Sequence, residues 1–167
     1  MNEKIPVAIL GATGAVGQRF IQLLADHPWF EIVALVGSER SAGQSYGDLK
    51  WVLDSDPPPH ISQMTVLDPE PGLPGRIAFS ALPSEVAKVV EPKFAGAGYA
   101  VCSNASAFRE TTNIPLLIPE INAEHVSMIE KQRRVNNWPG LIVTSPNCTT
   151  TGLAMTLQPL HQVFGVK

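Results

Sequence analysis

The stretch that most restricts what this chain can become is Ile5-Pro6-Val7-Ala8-Ile9-Leu10 followed at once by Gly11-Ala12-Thr13-Gly14-Ala15-Val16-Gly17. The apolar run reads as a strand buried on both faces, as in a parallel sheet. After the glycines, Val16, Phe20, Leu23 and Leu24 recur at the spacing of one helix face, which predicts a helix ending near Asp26. Strand, glycine loop and helix in that order form the unit that binds a dinucleotide phosphate. The anion must approach backbone N–H groups at the helix N-terminus, and a Cβ in its way would obstruct it or strain the turn. The spacing GxxGxxG departs from the commoner GxGxxG, so the general fingerprint fits in part, and a turn that serves packing alone is the competing reading.

A second strand is expected at Glu31–Val36, and the residues after it bear on which dinucleotide fits. Glu39 would suit a free ribose hydroxyl, as in NAD; Ser38, Arg40 and Ser41 together suit a 2′-phosphate, as in NADP, and the balance of that chemistry favours NADP. From Gly43 to Gly75 the pattern loosens into a Pro-rich excursion with at most a short strand near Gln63–Leu67, and Trp51 reads as a lid over core. Further strands are expected at Arg76–Pro83, Gly98–Cys102 and Leu141–Thr144, with helices from Ser84 to Phe94 and from Asn122 or Ala123 to about Val135. On the last of these helices Glu130 and Arg134 are spaced to pair. The alternation predicts an α/β fold, a doubly wound, Rossmann-like, mostly parallel sheet with helices on both faces.

The last strand delivers the chain to Ser145-Pro146-Asn147-Cys148-Thr149-Thr150-Thr151-Gly152. Cys148 lies where a strand gives way to a helix, under unpaired N–H groups and the positive end of a helix dipole, both of which favour thiolate. It is therefore the candidate nucleophile. Cys102 closes a strand and is expected in the core. Arg109, after a strand-end turn, either points into the crevice at the strand ends and holds an anion or is a surface arginine. Beyond Gly152 the residues Leu153, Leu157, Leu160 and Phe164 mark an apolar helix face, with Pro159 as a kink.

Composition excludes several classes. A net charge of −3 gives no basic excess for nucleic acid, and no apolar stretch reaches the ~20 residues needed to span a bilayer. Two cysteines cannot make a disulfide framework or a cysteine-rich zinc site, so no metal is expected and the default compartment is a reducing cytoplasm. Charged residues are only 16% of the chain, which fits a surface that normally lies against something else.

The ordered set of motifs, GATGAVG after the first strand, Ser38 to Gly43 after the second, Phe79-Ser80-Ala81-Leu82-Pro83, Ser103-Asn104-Ala105 with Arg109, and Pro146-Asn147-Cys148-Thr149-Thr150, resembles aspartate-semialdehyde dehydrogenases, most nearly their archaeal and fungal branch. The resemblance covers essentially the whole chain. It implies that Cys148 forms an acyl-thioester and that Asn147 and Arg109 bind phosphate or an acyl-phosphate substrate. It further implies that Gly11, Thr13, Gly14, Ala15, Val16 and Gly17 form the pyrophosphate loop, that Ser38, Arg40 and Ser41 contact the 2′-phosphate of NADP, and that Ser80 and Leu82 lie near the nicotinamide. The implied reaction is NADPH-dependent reduction of β-aspartyl phosphate to aspartate semialdehyde and phosphate, on the way to lysine, threonine and methionine, by an enzyme that is a homodimer or homotetramer.

The same resemblance implies a second, catalytic and dimerising domain carrying a histidine acid/base, an arginine and a lysine, none with a matching position here. Residues 1–147 are accordingly expected to be the dinucleotide-binding domain and 148–167 the first helix of a largely absent catalytic domain, inactive alone. His27, His60 and His125 read as surface residues, and His161 lies ~20 Å along a continuous helix from Cys148 at ~1.5 Å per residue. The alternatives are a related acyl-thioester reductase such as malonyl-CoA reductase, or a non-catalytic NADP-binding module.

Overall fold

The computed structural model describes residues 3–165, so the first two residues of the expected 1–147 unit and the last two of the expected 148–167 helix lie outside the described residues. Six parallel strands form one sheet: β1 (Ile5–Leu10), β2 (Phe30–Val36), β3 (Val66–Leu67), β4 (Ile77–Ser80), β5 (Ala100–Ser103) and β6 (Leu141–Thr144). Their order is β3-β2-β1-β4-β5-β6, so the winding reverses between β1 and β4. That order is the doubly wound arrangement predicted from the alternation of elements, and its reversal point is where such sheets open a ligand crevice.

Helices lie on both faces. On one face α1 (Ala15–Leu24) packs over β1 and β2, with Val7, Ile9, Ile21 and Leu35 fully buried between them. The Pro-rich excursion adds Tyr46 and Ile61 to the same core, through a single turn at Tyr46–Asp48 and the short helix α2 (Pro59–Ser62). Trp51 lies half-buried against it, edge-on to Tyr46, as a lid should. On the other face α3 (Ser84–Gly96) and α5 (Met128–Asn136) cover Ala78, Val101 and Ile142. A short helix α4 (Pro119–Asn122) leads towards α5, and the chain ends in α6 (Cys148–Phe164).

Three expectations about packing need correction. Val16 and Leu23 are exposed; the buried face of α1 is instead Gly17, Gln18, Ile21 and Leu24. A glutamine lies inside because its amide donates to the Lys50 carbonyl and its Oε1 accepts from Val52 N–H, both at 2.8 Å, which satisfies a polar group that hydrophobic periodicity places outside. Glu130 and Arg134 form no ion pair; among the described residues the pairs are Lys88–Glu85, Lys93–Glu70 and His125–Glu124. Cys102 is half-buried, because it faces the side of β4, β5 and β6 that no described helix fully covers, beside Phe79 and Val143.

The edge strand β6 is protected by a side chain. Gln132 of α5 is fully buried; its Nε2 donates to Ile142 O at 2.7 Å and its Oε1 accepts from Ile142 N–H at 2.8 Å. A side-chain amide thus completes the ladder where the next strand would pair. Helix α6 departs from the rest: no residue in it is buried, and Leu153, Leu157, Leu160 and Phe164 are all exposed. It starts at Cys148, at the strand-to-helix junction, and runs continuously to Phe164 with Pro159 inside it. Among the described residues, no helix is long and apolar enough to cross a membrane.

Candidate active site

The crevice at the reversal point is lined by Gly11, Thr13 and Gly14 after β1, Gly37 and Ser38 after β2, and Ala81 and Leu82 after β4. The three glycines of the first loop do different work. Gly11 has φ +78° and a Cβ there would stand 2.8 Å from Ala81 O, so it serves the turn and the close approach of the two loops. Gly17 lies over the Gly11 carbonyl, where a Cβ would meet that oxygen at 2.1 Å. Of the three, Gly14 alone has room for a Cβ, which would meet the Gly11 carbonyl at an ordinary contact distance of 3.7 Å.

Gly14 is also the N-cap of α1, and no side chain caps that helix or places an acid in its first turn. The first N–H groups of α1 therefore point unpaired at the crevice, at the positive end of the helix dipole. A pyrophosphate fits this end: it brings acceptors and negative charge to donors that the protein leaves unmet. Ala15 and Val16 belong to this exposed first turn.

Around the loop after β2, Ser38 and Arg40 are exposed, and Arg40 forms no ion pair among the described residues. Ser41 differs: it is buried, and its hydroxyl donates back to Ser38 O at 3.0 Å, so it shapes the loop rather than offering a free donor. Ser80 is fully buried too, with its hydroxyl turned into the layer under α3 and away from the crevice, whereas Leu82 lines the crevice wall.

A second cluster sits at the ends of β5 and β6. Arg109 is half-buried; its Nε donates to Ser145 O and its Nη2 to Asn104 O, both at 3.0 Å. The guanidinium thus bridges the turns that follow two neighbouring strands. Asn104 accepts at Oδ1 from Ser145 Oγ at 2.9 Å, which ties the same two turns together. Neither Asn104 nor Ser145 stands out in the sequence by itself. The signal available there was two strands that end on small polar residues in one register, Ser103 opposite Thr144, so that the turns after them lie side by side.

From Ser145 the chain reaches Asn147, the N-cap of α6, whose Oδ1 accepts from Thr149 N–H at 2.9 Å and Thr150 N–H at 3.4 Å. Cys148 is the first residue of the helix and is exposed. The other thiol, Cys102, is pushed up by burial to a pKa of about 11. Of the histidines, His60, His125 and His161 are exposed, and His27 is half-buried at the opposite, N-terminal end of the strands, where its Nδ1 accepts from Trp29 and Phe30 N–H. His161 lies thirteen residues beyond Cys148 on the same continuous helix.

Residues 6–129 match the family model described as semialdehyde dehydrogenase, NAD binding domain. The chain is 50% identical over 157 residues to an aspartate-semialdehyde dehydrogenase of Archaeoglobus fulgidus, covering 92% of this chain and 46% of that protein. It is 38% identical to a malonyl CoA reductase (NADP) of Metallosphaera sedula, over 98% of this chain and 46% of the relative. Among solved structures, aspartate semialdehyde dehydrogenase with NADP from Candida albicans superposes with a TM-score of 0.88 at 39% identity, covering 98% of this chain and 48% of that one. The chain thus spans about half the length of the relatives it matches, and the resemblance read from the motifs is borne out. With the reversal-point crevice, the uncapped helix and the match over residues 6–129 together, the chain belongs to the semialdehyde dehydrogenase family and carries its NAD-binding domain.

Proposed function

We propose that this chain supplies the NADP-binding half and the nucleophile of an enzyme that reduces β-aspartyl phosphate to aspartate semialdehyde. The observation that carries this reading is the pair of turns joined by Arg109, whose guanidinium is bonded to Ser145 in the loop that leads into Cys148. A cation held by two carbonyls keeps Nη1 for an incoming anion, and the next helix begins on a cysteine.

In this reading residues 1–147 are the cofactor domain and 148–167 begin the catalytic and dimerising domain, with the intact enzyme a homodimer or homotetramer in the cytoplasm of its cell. Pyrophosphate sits on the N–H groups of Ala15, Val16 and Gly17, with Gly11, Thr13 and Gly14 around it. Ser38 and Arg40 bind the 2′-phosphate, Ser41 braces their loop, and Leu82 walls the nicotinamide end together with the backbone of Ser80.

The Cys148 sulfur attacks the acyl carbon while Arg109 and Asn147 hold the phosphoryl group. The bond from the acyl carbon to the phosphate oxygen breaks, phosphate leaves, and Cys148 carries a thioester. The nicotinamide cofactor, when bound, supplies a hydride to that carbonyl carbon. The oxyanion formed at each stage lies at the N-terminus of α6, where the Cys148 N–H and the Asn147 side-chain NH2 remain to donate to it, the Thr149 and Thr150 N–H groups being held by Asn147 Oδ1. Collapse of the resulting thiohemiacetal frees the aldehyde and returns the Cys148 sulfur. A proton partner for Cys148 is not offered by the four histidines, so residues 1–167 bind cofactor and react at sulfur but do not turn over.

Iodoacetamide labelling of the chain tests this. Cys148 should alkylate at least ~10 times faster than Cys102 at neutral pH, since only thiolate reacts and burial holds Cys102 protonated. Inorganic phosphate should slow Cys148 in the chain and not in Arg109→Leu. NADPH should bind more tightly than NADH, and Arg40→Ala should erase the difference. Equal labelling of the two cysteines would leave only a cofactor-binding module, and turnover by residues 1–167 would refute the division of labour. The malonyl-CoA reductase reading rests on the 38% identity over nearly the whole chain. Acylation of Cys148 by malonyl-CoA and not by an acyl phosphate would decide for it.

A further inference from the structure

Glu91 is a glutamate in the middle of α3, fully buried, and it pairs with no lysine or arginine among the described residues. Its Oε1 accepts from Ser103 Oγ at 2.7 Å. Ser103 and Ser80 are register partners at the ends of β5 and β4, and both hydroxyls lie on the face that α3 covers. Ser80 Oγ and Glu91 Oε2 are buried and make no hydrogen bond of ordinary geometry among the described residues. One acid and two hydroxyls therefore sit in a closed layer directly behind the strand ends, at a place that core packing alone would fill with apolar groups.

The turn in front of this layer is the one that carries Arg109. Ser103 Oγ also accepts from Ala105 N–H at 3.2 Å, which fixes the bend of the chain at Asn104. Asn104 N–H donates to Ser80 O, its carbonyl accepts from Arg109, and its side chain accepts from Ser145. Ser145 N–H donates to Ser103 O at 2.9 Å, so the loop that leads to Cys148 hangs from the same residue that Glu91 holds. Ser84, at the start of α3, adds a hydroxyl contact with Ser106 on the far side of the turn at 2.7 Å.

We propose that Glu91 is a positioning residue: through Ser103, and through Ser80 beside it, its carboxyl group fixes the Asn104 turn from which Arg109 and the Ser145–Cys148 loop are hung. This rests on the reading of Arg109 and Cys148 given under the proposed function. Burial without a cation raises the Glu91 pKa, against smaller opposing effects of Ser80 and Ser103, and so favours the neutral acid. The neutral acid has the right inventory for its place: one oxygen accepts from Ser103, and a proton on the other makes it a donor for Ser80 Oγ, which has no other hydrogen-bond partner among the described residues. A carboxylate would have to accept from both, and would sit buried without a counter-charge.

Glutamine reproduces the neutral acid, with a carbonyl for Ser103 and an N–H for Ser80, whereas alanine removes both. The test is solvent exchange of the Arg109 Nε–H, followed by NMR on the chain labelled at arginine nitrogen, with Arg109→Lys to assign the signal. This hydrogen donates to Ser145 O in the folded state, so its exchange reports the turn rather than global stability. Glu91→Ala should speed exchange about tenfold, Ser103→Ala by a similar factor, and Glu91→Gln less than about twofold, all at a pH where the backbone spectrum shows the fold intact. If Glu91→Ala does not fold, Ser103→Ala carries the test, since it deletes a single hydroxyl. Unchanged exchange in the folded alanine variants overturns the proposal, as does a glutamine variant as disturbed as alanine. A separate titration of the unmutated chain with inorganic phosphate addresses the anion role of Arg109. If the Nε–H signal does not respond to phosphate, that role fails while the exchange comparison still decides the part played by Glu91.

Discussion

Two helices start at the same edge of this sheet and solve opposite problems. Helix α1 buries Gly17, Gln18, Ile21 and Leu24, yet its N-terminus has no side-chain cap; α6 buries nothing, yet Asn147 caps its N-terminus with two hydrogen bonds. The uncapped end, proposed above as the anion site, is held in place by packing along the rest of the helix. The end that carries the proposed nucleophile is instead fixed locally, because no residue of α6 is buried. Packing and capping are therefore alternative ways to position a helix start, and substitutions at equivalent points of the two helices should separate them.

The largest difference is expected from a glycine in each helix. Gly17→Ala in α1 puts a Cβ 2.1 Å from the Gly11 carbonyl, a backbone group that cannot step aside without opening the loop. Destabilisation of about 3 kcal/mol is expected in urea unfolding, at the upper end of overpacking effects. A loss under about 1 kcal/mol would mean that the glycine loop yields easily and that packing does not fix the start of α1.

The two cysteines carry the same contrast into pH. Cys102 belongs to the packed sheet, and burial raises its pKa from 9.0 to about 11; Cys148 is exposed at the start of α6. A raised folded pKa means that the folded state holds its proton longer than the unfolded one. The corresponding stability is complete below pH 9 and is lost as pH rises towards 11, by on the order of 2 kcal/mol. Cys102→Ala should flatten that part of the stability profile. Tyr46, whose pKa burial also raises well above 10, keeps a further alkaline loss in that variant.

Much of this arrangement was legible before any coordinates. The order of strand, glycine loop and helix marked the crevice, and a polar run between strand and helix marked Cys148, because both features are local and the chain writes them contiguously. What escaped was whatever depends on two distant segments meeting. Arg109 reaches Ser145 across 36 residues, and Gln18 reaches Lys50 and Val52 across more than 30. Periodicity put Val16 and Leu23 on the inner face of α1 since it weighs apolarity and cannot see that Gln18 is satisfied inside. It likewise could not see that Cys102 closes a strand on the side of the sheet that no helix fully covers. The hydroxyls of Ser41 and Ser80 had the chemistry of ligands and were expected at the cofactor. The fold spends both inward: Ser41 on the loop after β2, Ser80 in the layer beside Glu91.

The helix starts themselves can be exchanged in character. Gly14 has φ −83°, open to any residue, and room for a Cβ, so Gly14→Asp can cap α1 without strain. The fold should be as stable as before or slightly more so, while NADPH affinity measured by fluorescence falls about tenfold or further, because the carboxylate takes the N–H groups and repels the phosphates. Unchanged affinity would show that the cofactor does not use this end. In the opposite direction, Asn147→Ala should cost about 1 kcal/mol of local helix stability, read as faster amide exchange confined to the first turn of α6.

The smallest effect is the counterpart of the first. Gly152 is in the first half of α6, with a helical backbone and nothing within 4 Å of where a Cβ would lie. Gly152→Ala therefore meets no clash and lowers only the conformational freedom that the helix must give up, so it should stabilise α6 by about 0.5–1 kcal/mol, seen as a gain in far-UV helical signal on mild heating. The same substitution, opposite in sign at residues 17 and 152, isolates packing as the cause of the difference. If Gly152→Ala is instead destabilising in this chain, α6 must touch a surface at that point, and its start would then be positioned by contact as α1 is.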